Sequence, residues 1–350
     1  MIEEYKTIEK MNQSLLKKIL ISPYAFVKEK ERYELDDDEE IEKAHFIFGS
    51  LVDVLLLDPN TFDKRYYVMP EGNAVSDEMK KILHYVYDLT SISGDIIPIT
   101  LEEDTVMDRF ILEAVNHTGW QPRYKDETKI AKVKEAGKGY FNALIESADR
   151  TIVTAEDKAK ATICVASLKA DEYIGKYLTP SATNTIYRRK VIQFDYKGID
   201  FKSELDEIYI DHADKTIQPI DYKTEGQSIN MFKYNFWKFR YDFQASVYSF
   251  GVRQDPEMQQ LIRDGYTVLP FIYIVVESNS INKPMVFNIT AAVDVIGFNG
   301  GVLSPESGLA GKKLEGFLQA ITRYKFHSEN DQWDYPMEYY QNKGSIDIKI

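Results

Sequence analysis

Residues 184–194, 199–210 and 216–223 read as three successive β-strands, and any fold for this chain has to be built around them. All three are rich in Ile, Tyr and Phe, and they are divided by two turn sequences, Tyr196-Lys197-Gly198 and Asp211-His212-Ala213-Asp214. Such a meander needs other elements packed on its apolar surface. The chain supplies them. Residues 241–252 read as a helix, 269–277 as a very apolar strand, 285–289 as another strand and 312–324 as a C-terminal helix. Upstream, residues 12–30 read as a helix interrupted at Ser22-Pro23. The run 46–57 suits a buried helix stopped by Asp58-Pro59, although Gly49 weakens it. Thr154-Ala155-Glu156-Asp157 resembles a capping box opening a helix to about Tyr177. The expected class is therefore α/β, a central sheet of mixed direction flanked by helices. It forms one domain over residues 1–350, mainly helical over 1–150 and sheet-containing over 151–350.

Composition narrows the function. With 350 residues, 44 % of them hydrophobic, the chain can bury a sizeable core and is no disordered scaffold. No apolar run approaches the roughly eighteen residues of a membrane span, and the charged start MIEEYKTIEKMNQ is no secretory signal. A single cysteine, Cys164, excludes an internal disulfide framework, a Cys-rich zinc ribbon and a cysteine-held iron–sulfur cluster, so the expected home is a reducing cytoplasm. Net charge is −13, with acid concentrated between Glu34 and Glu42, a run expected to be a solvated loop. Base recurs in Arg188, Arg189 and Lys190, and in Lys233, Lys238 and Arg240 interleaved with Tyr234, Phe236, Trp237, Phe239 and Tyr241. Cations mixed with aromatic rings suit a nucleic-acid backbone and unpaired bases, and these six are the candidate DNA contacts.

Strict alternation along residues 201–208 puts Lys202, Glu204, Asp206 and Ile208 on one face. Along 217–223 one face carries Ile217, Pro219, Asp221 and Lys223. If the two strands pair through the turn at Asp211–Lys215, Asp206, Asp221 and Lys223 converge. Two carboxylates and a lysine are equipment for holding Mg²⁺ or Mn²⁺ and activating a water, because Mg²⁺ takes hard oxygen ligands and keeps several of its own waters. The Tyr222 carbonyl is a further hard donor. There is no G-x-x-x-x-G-K-[ST] phosphate loop, which speaks against nucleotide hydrolysis.

These residues carry a resemblance to a known family, the RecE-like (exonuclease VIII type) branch of the PD-(D/E)XK nucleases. Ser14-Leu15-Leu16-Lys17 through Ser22-Pro23-Tyr24-Ala25-Phe26 looks like the family's opening segment, and residues 49–59, GSLVDVLLLDP, resemble its G-S-x-x-H-x-L-L-L-E-P helix. Residues 202–206 match the strand with the first catalytic aspartate, 219–224 (PIDYKT) the I-x-D-x-K-T strand, and 241–248 the Y-x-x-Q-x-x-x-Y helix. The resemblance implies a restriction-endonuclease-like core. It makes Asp206 and Asp221 metal ligands and Lys223 the catalytic lysine, with Gln244 and Tyr248 facing the site from one helix face. Asp53 stands where the family commonly has a metal-binding histidine, and is expected to replace it as a ligand. Glu204-Leu205 stands where the family often has Arg-Pro, making Glu204 an extra acid by the metal or a partner for Lys202. The implied activity is metal-dependent hydrolysis of linear duplex DNA, 5′ to 3′, in phage-type recombination, beside a single-strand annealing partner and often as a ring-like homo-oligomer. The alternatives are a catalytically silent relative that binds DNA or protein, and an endonuclease of the same fold.

Overall fold

The computed structural model describes residues 5, 7–35, 44–92, 100–102, 105–279 and 281–348, and the chain divides into two compact units. One joins Met1–Glu40 to Cys164–Ile350, and the other is Ile41–Ile163. The described residues up to Leu35 thus pack with the sheet-bearing part, where the sequence suggests a change of character near residue 150. The acidic residues 36–42 lie outside the described residues.

In chain order, α1 (Gln13–Lys18) and α2 (Pro23–Leu35) open the first unit. The Asn12 side chain accepts the Leu15 N–H at 2.8 Å to cap α1, and Ser22 Oγ accepts the Ala25 N–H at 2.9 Å at the start of α2. Proline at the first position of α2 costs no hydrogen bond, which is why Ser22-Pro23 restarts a helix there.

The second unit contains α3 (Ala44–Leu57), β1 (Tyr66–Met69), α4 (Asp77–Ile92), α5 (Thr105–Thr118), α6 (Asp126–Ser147) and β2 (Thr151–Thr154). β1 and β2 form a short parallel pair. Ile82, Leu83 and Val86 of α4, Met107 and Ile111 of α5, and Val133 and Phe141 of α6 make its core. His84 stands beside that core, its Nε2 3.2 Å from the Tyr140 hydroxyl. Burial pushes the His84 imidazole below its ordinary value, against the pull of Asp88. As pH drops through about 6.5, the unfolded chain takes up a proton that folded His84 resists, so the unit loses stability on the acid side. His84→Gln should therefore lose less stability than the parent between pH 7.5 and 5.5, measured by urea denaturation at the two pH values.

Thr154 caps α7 (Ala155–Ala170), accepting the Asp157 N–H at 3.0 Å. This helix stops at Ala170, short of the expected Tyr177, and carries the chain back into the first unit. There follow β3 (Asn184–Tyr196), β4 (Ile199–Asp211), β5 (Thr216–Glu225), α8 (Phe232–Lys238), α9 (Tyr241–Gln254), α10 (Pro256–Arg263), β6 (Ile272–Glu277), β7 (Met285–Asn288), α11 (Ala291–Asn299) and α12 (Phe317–Asn330). The sheet order is β3-β4-β5-β6-β7, with the short strand Thr267–Val268 also beside β5. Only β5 and β6 of this path run parallel, so the sheet is of mixed direction, as the sequence predicts. Lys197 (φ 54°) and Gly198 (φ 75°) make the two-residue turn between β3 and β4, both with the positive φ that a type I′ hairpin requires.

Phe271, just before β6, and Tyr273 and Val275 within it share a core with Phe243, Val247 and Val252 of α9 and Phe317 and Ile321 of α12. α9 lies close on the sheet at Gly251, where a Cβ would stand 2.9 Å from the Phe194 ring. Among the described residues no helix is long and apolar enough to cross a membrane.

Candidate active site

β4 and β5 pair from Asp211↔Thr216 to Glu207↔Ile220 and then separate. At the separation the Asp206 carboxylate takes the place of a ladder carbonyl, its Oδ2 accepting the Tyr222 N–H at 2.8 Å. The freed edge of β4 is met by the N-terminal segment: Met11 N–H donates to the Asp200 carbonyl at 3.0 Å, and Lys202 N–H to the Met11 carbonyl at 2.8 Å. The N–H and C=O of one extended residue share a strand edge, so the Tyr222 carbonyl faces the same gap as Asp206.

Strict alternation fails here. Leu205 and Ile208, three apart on β4, enter one core. Tyr187 and Lys190, three apart on β3, both reach Glu257 of α10, the lysine at 2.8 Å. Between them sits Arg189 at φ 50°, opposite Asp206 in a register that runs from Arg188↔Glu207 to Lys190↔Leu205. A left-handed residue inside a strand reverses the pleat, so Lys202, Glu204, Asp206 and Ile208 do not share one face. Lys202 is engaged elsewhere, donating to the Tyr5 carbonyl at 2.7 Å, and Glu204 pairs with Arg189, not Lys202.

Asp221 is 2 % exposed and in ionic contact with Lys223. The Lys223 ammonium also lies over the rings of Tyr241 at 5.2 Å and Tyr273 at 5.7 Å. The Tyr273 hydroxyl donates to the Tyr241 carbonyl at 2.8 Å and to Gln244 Oε1 at 3.3 Å. Tyr248, one turn after Gln244, is buried beside Gln244, Asp221 and Asp206. The structure thus brings Asp206, Asp221, Lys223, Gln244 and Tyr248 together. Tyr241 and Tyr273 complete the wall. Nothing in the strand pattern marks Tyr273, which stands beside Asp221 through the parallel register Asp221↔Tyr273.

Burial pushes the Asp221 carboxyl up, with the Lys223 ammonium pulling it back and the Asp206 charge adding to the rise. Burial works against the Lys223 charge, but Asp221 and Asp206 outweigh it and hold the ammonium above the usual lysine range. Burial raises the phenols of Tyr241, Tyr248 and Tyr273. All three are neutral near pH 7. Lys17 of α1 donates to the Phe239 carbonyl at 3.0 Å; burial, then the charge of Arg240, lowers its ammonium to about 8.

The remaining candidates disperse. Arg188, Arg189 and Lys190 do not form a patch, because each is taken by a different acid. Arg188 lies 3.7 Å from Glu207 and donates to the Leu178 carbonyl at 3.1 Å, Arg189 meets Glu204, and Lys190 meets Glu257. Arg240 forks onto Asp242, at 3.0 Å from both Nε and Nη2, and donates to the Glu315 carbonyl. Lys233, Tyr234 and Lys238 are exposed on α8, as is the ring of Phe239 just after it. Asp53 lies half-buried on α3 in the other unit.

Among the described residues no three His, Cys, Asp or Glu side chains form a ready-made metal cluster. The donors present are nevertheless hard oxygens, the carboxylates of Asp206 and Asp221 and the Tyr222 carbonyl. That set fits Mg²⁺ or Mn²⁺, which need few protein ligands.

No family model and no curated protein matches the chain. Among solved structures it is similar to a protein from Eubacterium rectale that carries a provisional designation as an exonuclease, with a TM-score of 0.33 and 12 % identity over 81 % of this chain and 96 % of that one. At that identity and score the likeness says nothing about chemistry.

Proposed function

We propose that this protein is a divalent-metal-dependent deoxyribonuclease of the PD-(D/E)XK type, an exonuclease on linear duplex DNA. The observation that carries the reading is the meeting of Asp206, Asp221 and Lys223 where β4 and β5 part, closed on one side by Gln244 and Tyr248. Asp206, Asp221 and the Tyr222 carbonyl would hold the cation; a role for Asp53 follows from the family resemblance alone. When bound, it would supply a water of lowered pKa and neutralise charge on the phosphodiester oxygens. Lys223, whose ammonium Asp221 and Asp206 hold above the usual lysine range, would orient the attacking water and steady charge on the phosphate. Neutral Tyr248 offers a hydroxyl proton, and the Gln244 amide fixes the tyrosines around it.

A surface for DNA lies next to this site. The Phe239 ring, 46 % exposed, is 5.9 Å from that of Tyr241, which covers Lys223. Exposed Tyr234, Lys233 and Lys238 extend the same mixture of rings and cations along α8, a surface suited to bases and phosphates at a frayed end. The 5′ to 3′ direction, the annealing partner, the ring-like homo-oligomer and the role in phage-type recombination follow from the family resemblance and belong to the same proposal.

The test is hydrolysis of end-labelled linear duplex with Mg²⁺ and with chelator, on the parent and on Asp221→Ala, beside a closed circular substrate. Chelator and substitution should each abolish hydrolysis of the linear duplex, and the circle should survive. A cut circle would make the protein an endonuclease. Parent and variant degrading DNA equally would end the proposal.

A further inference from the structure

The pair that the proposed chemistry leaves unused is Arg189 with Glu204. Arg189 is 7 % exposed, and its Nη1 donates to Glu204 Oε1 at 2.9 Å. Each partner is only half satisfied: Arg189 Nε and Glu204 Oε2 are both buried without a hydrogen-bond partner. Arg189 also holds φ 50° in mid-strand, a conformation that a non-glycine residue adopts at a cost. A buried ion pair with unmet polar atoms on a strained backbone is a poor stabilising device. The strain has a consequence for position. It places Arg189 opposite Asp206, at the point where the pleat reverses and β4 leaves β5.

The surroundings of Glu204 connect it to the same site. Glu204 stands two residues before Asp206 on β4, and the Arg189 that holds it stands opposite Asp206. Tyr5 lies in the fields of both Tyr248 and Glu204, and Tyr248 in those of Asp221 and Asp206. A carboxylate there, with one oxygen on a guanidinium and the other on nothing, has the hard-donor chemistry of the two aspartates.

Resting on the nuclease reading, we infer that Glu204 is a third carboxylate of the cation site and that Arg189 is its resident counter-charge, competing with the divalent cation for it. Arg189 balances the Glu204 carboxylate in the free protein. Once Glu204 turns to the cation, the guanidinium is released beside the position of the phosphodiester.

Mn²⁺ binding, measured by titration calorimetry without DNA, tests this by sign. Glu204→Gln should weaken Mn²⁺ at least tenfold. Arg189→Gly removes the competitor and suits the left-handed backbone; it should tighten Mn²⁺ about tenfold, an effect that a mere structural brace would not produce. The double variant should return to the affinity of Glu204→Gln. If Glu204→Gln binds as the parent does while Asp206→Asn loses Mn²⁺, this inference falls and the nuclease reading stands. Weaker Mn²⁺ binding by a folded Arg189→Gly would likewise overturn it. No Mn²⁺ binding by the parent would remove the metal reading itself.

Discussion

A Lys223→Met variant should hydrolyse end-labelled linear duplex in Mg²⁺ on the order of 10³-fold more slowly than the parent, the scale of losing one preorganised charge-stabilising group. Lys223 is the side chain in contact with Asp221, under two aromatic rings and in the field of both aspartates. Methionine keeps its length and apolar stem but removes the ammonium that contacts Asp221. Stability should move too, because Asp221 is left buried without its cation, and breaking such a pair costs about 3–5 kcal/mol. The two effects separate in Asp221→Asn/Lys223→Met, which removes both charges. That double variant should recover most of the stability measured by denaturant unfolding and none of the hydrolysis. Recovery of hydrolysis with stability would mean that Lys223 braces the fold and nothing more.

Much of this arrangement is legible in the sequence because its signals are local. Lys197-Gly198 specifies a tight hairpin, Asn12 and Thr154 announce helix starts, and the run Ile220-Asp221-Tyr222-Lys223 keeps an acid and a lysine on one face wherever the strand goes. What stays hidden depends on partners distant in sequence. The pleat reversal at Arg189 has no glycine or asparagine to advertise it, so alternation along β4 misplaces Ile208 relative to Asp206. Tyr273 reaches Lys223 only through a parallel register set by three intervening helices. The N-terminal segment at the edge of β4 is a pairing between residues 190 positions apart, Met11 and Phe201. The basic run Arg188–Lys190 shows the opposite case. Its three residues are adjacent in sequence, yet each is taken by a different acid, Glu207, Glu204 and Glu257.

Phe317→Ala should cost about 3–5 kcal/mol of unfolding free energy, the range for emptying a large aromatic site in a core. Phe317 is fully buried, and its ring meets those of Tyr196 at 5.2 Å, Phe298 at 5.3 Å, Phe201 at 5.4 Å, Phe243 at 6.2 Å and Phe250 at 6.5 Å. These rings belong to the β3–β4 hairpin, α9 and α11, so one side chain ties the sheet to the helix that carries Gln244 and Tyr248. Collapse onto the gap is restricted. A Cβ on Gly251 would already stand 2.9 Å from Phe194, and one on Gly297 2.1 Å from the Asp242 carbonyl, so α9 has no room to slide closer to either neighbour. An unrelaxed cavity is the expensive kind. Phe317→Leu, which refills most of the volume, should lose far less, about 1–2 kcal/mol. Denaturant unfolding of both variants measures the difference. A Phe317→Ala loss below about 1 kcal/mol would mean that α9 can shift toward the sheet, and a helix that moves so freely could not hold Gln244 and Tyr248 against Asp221.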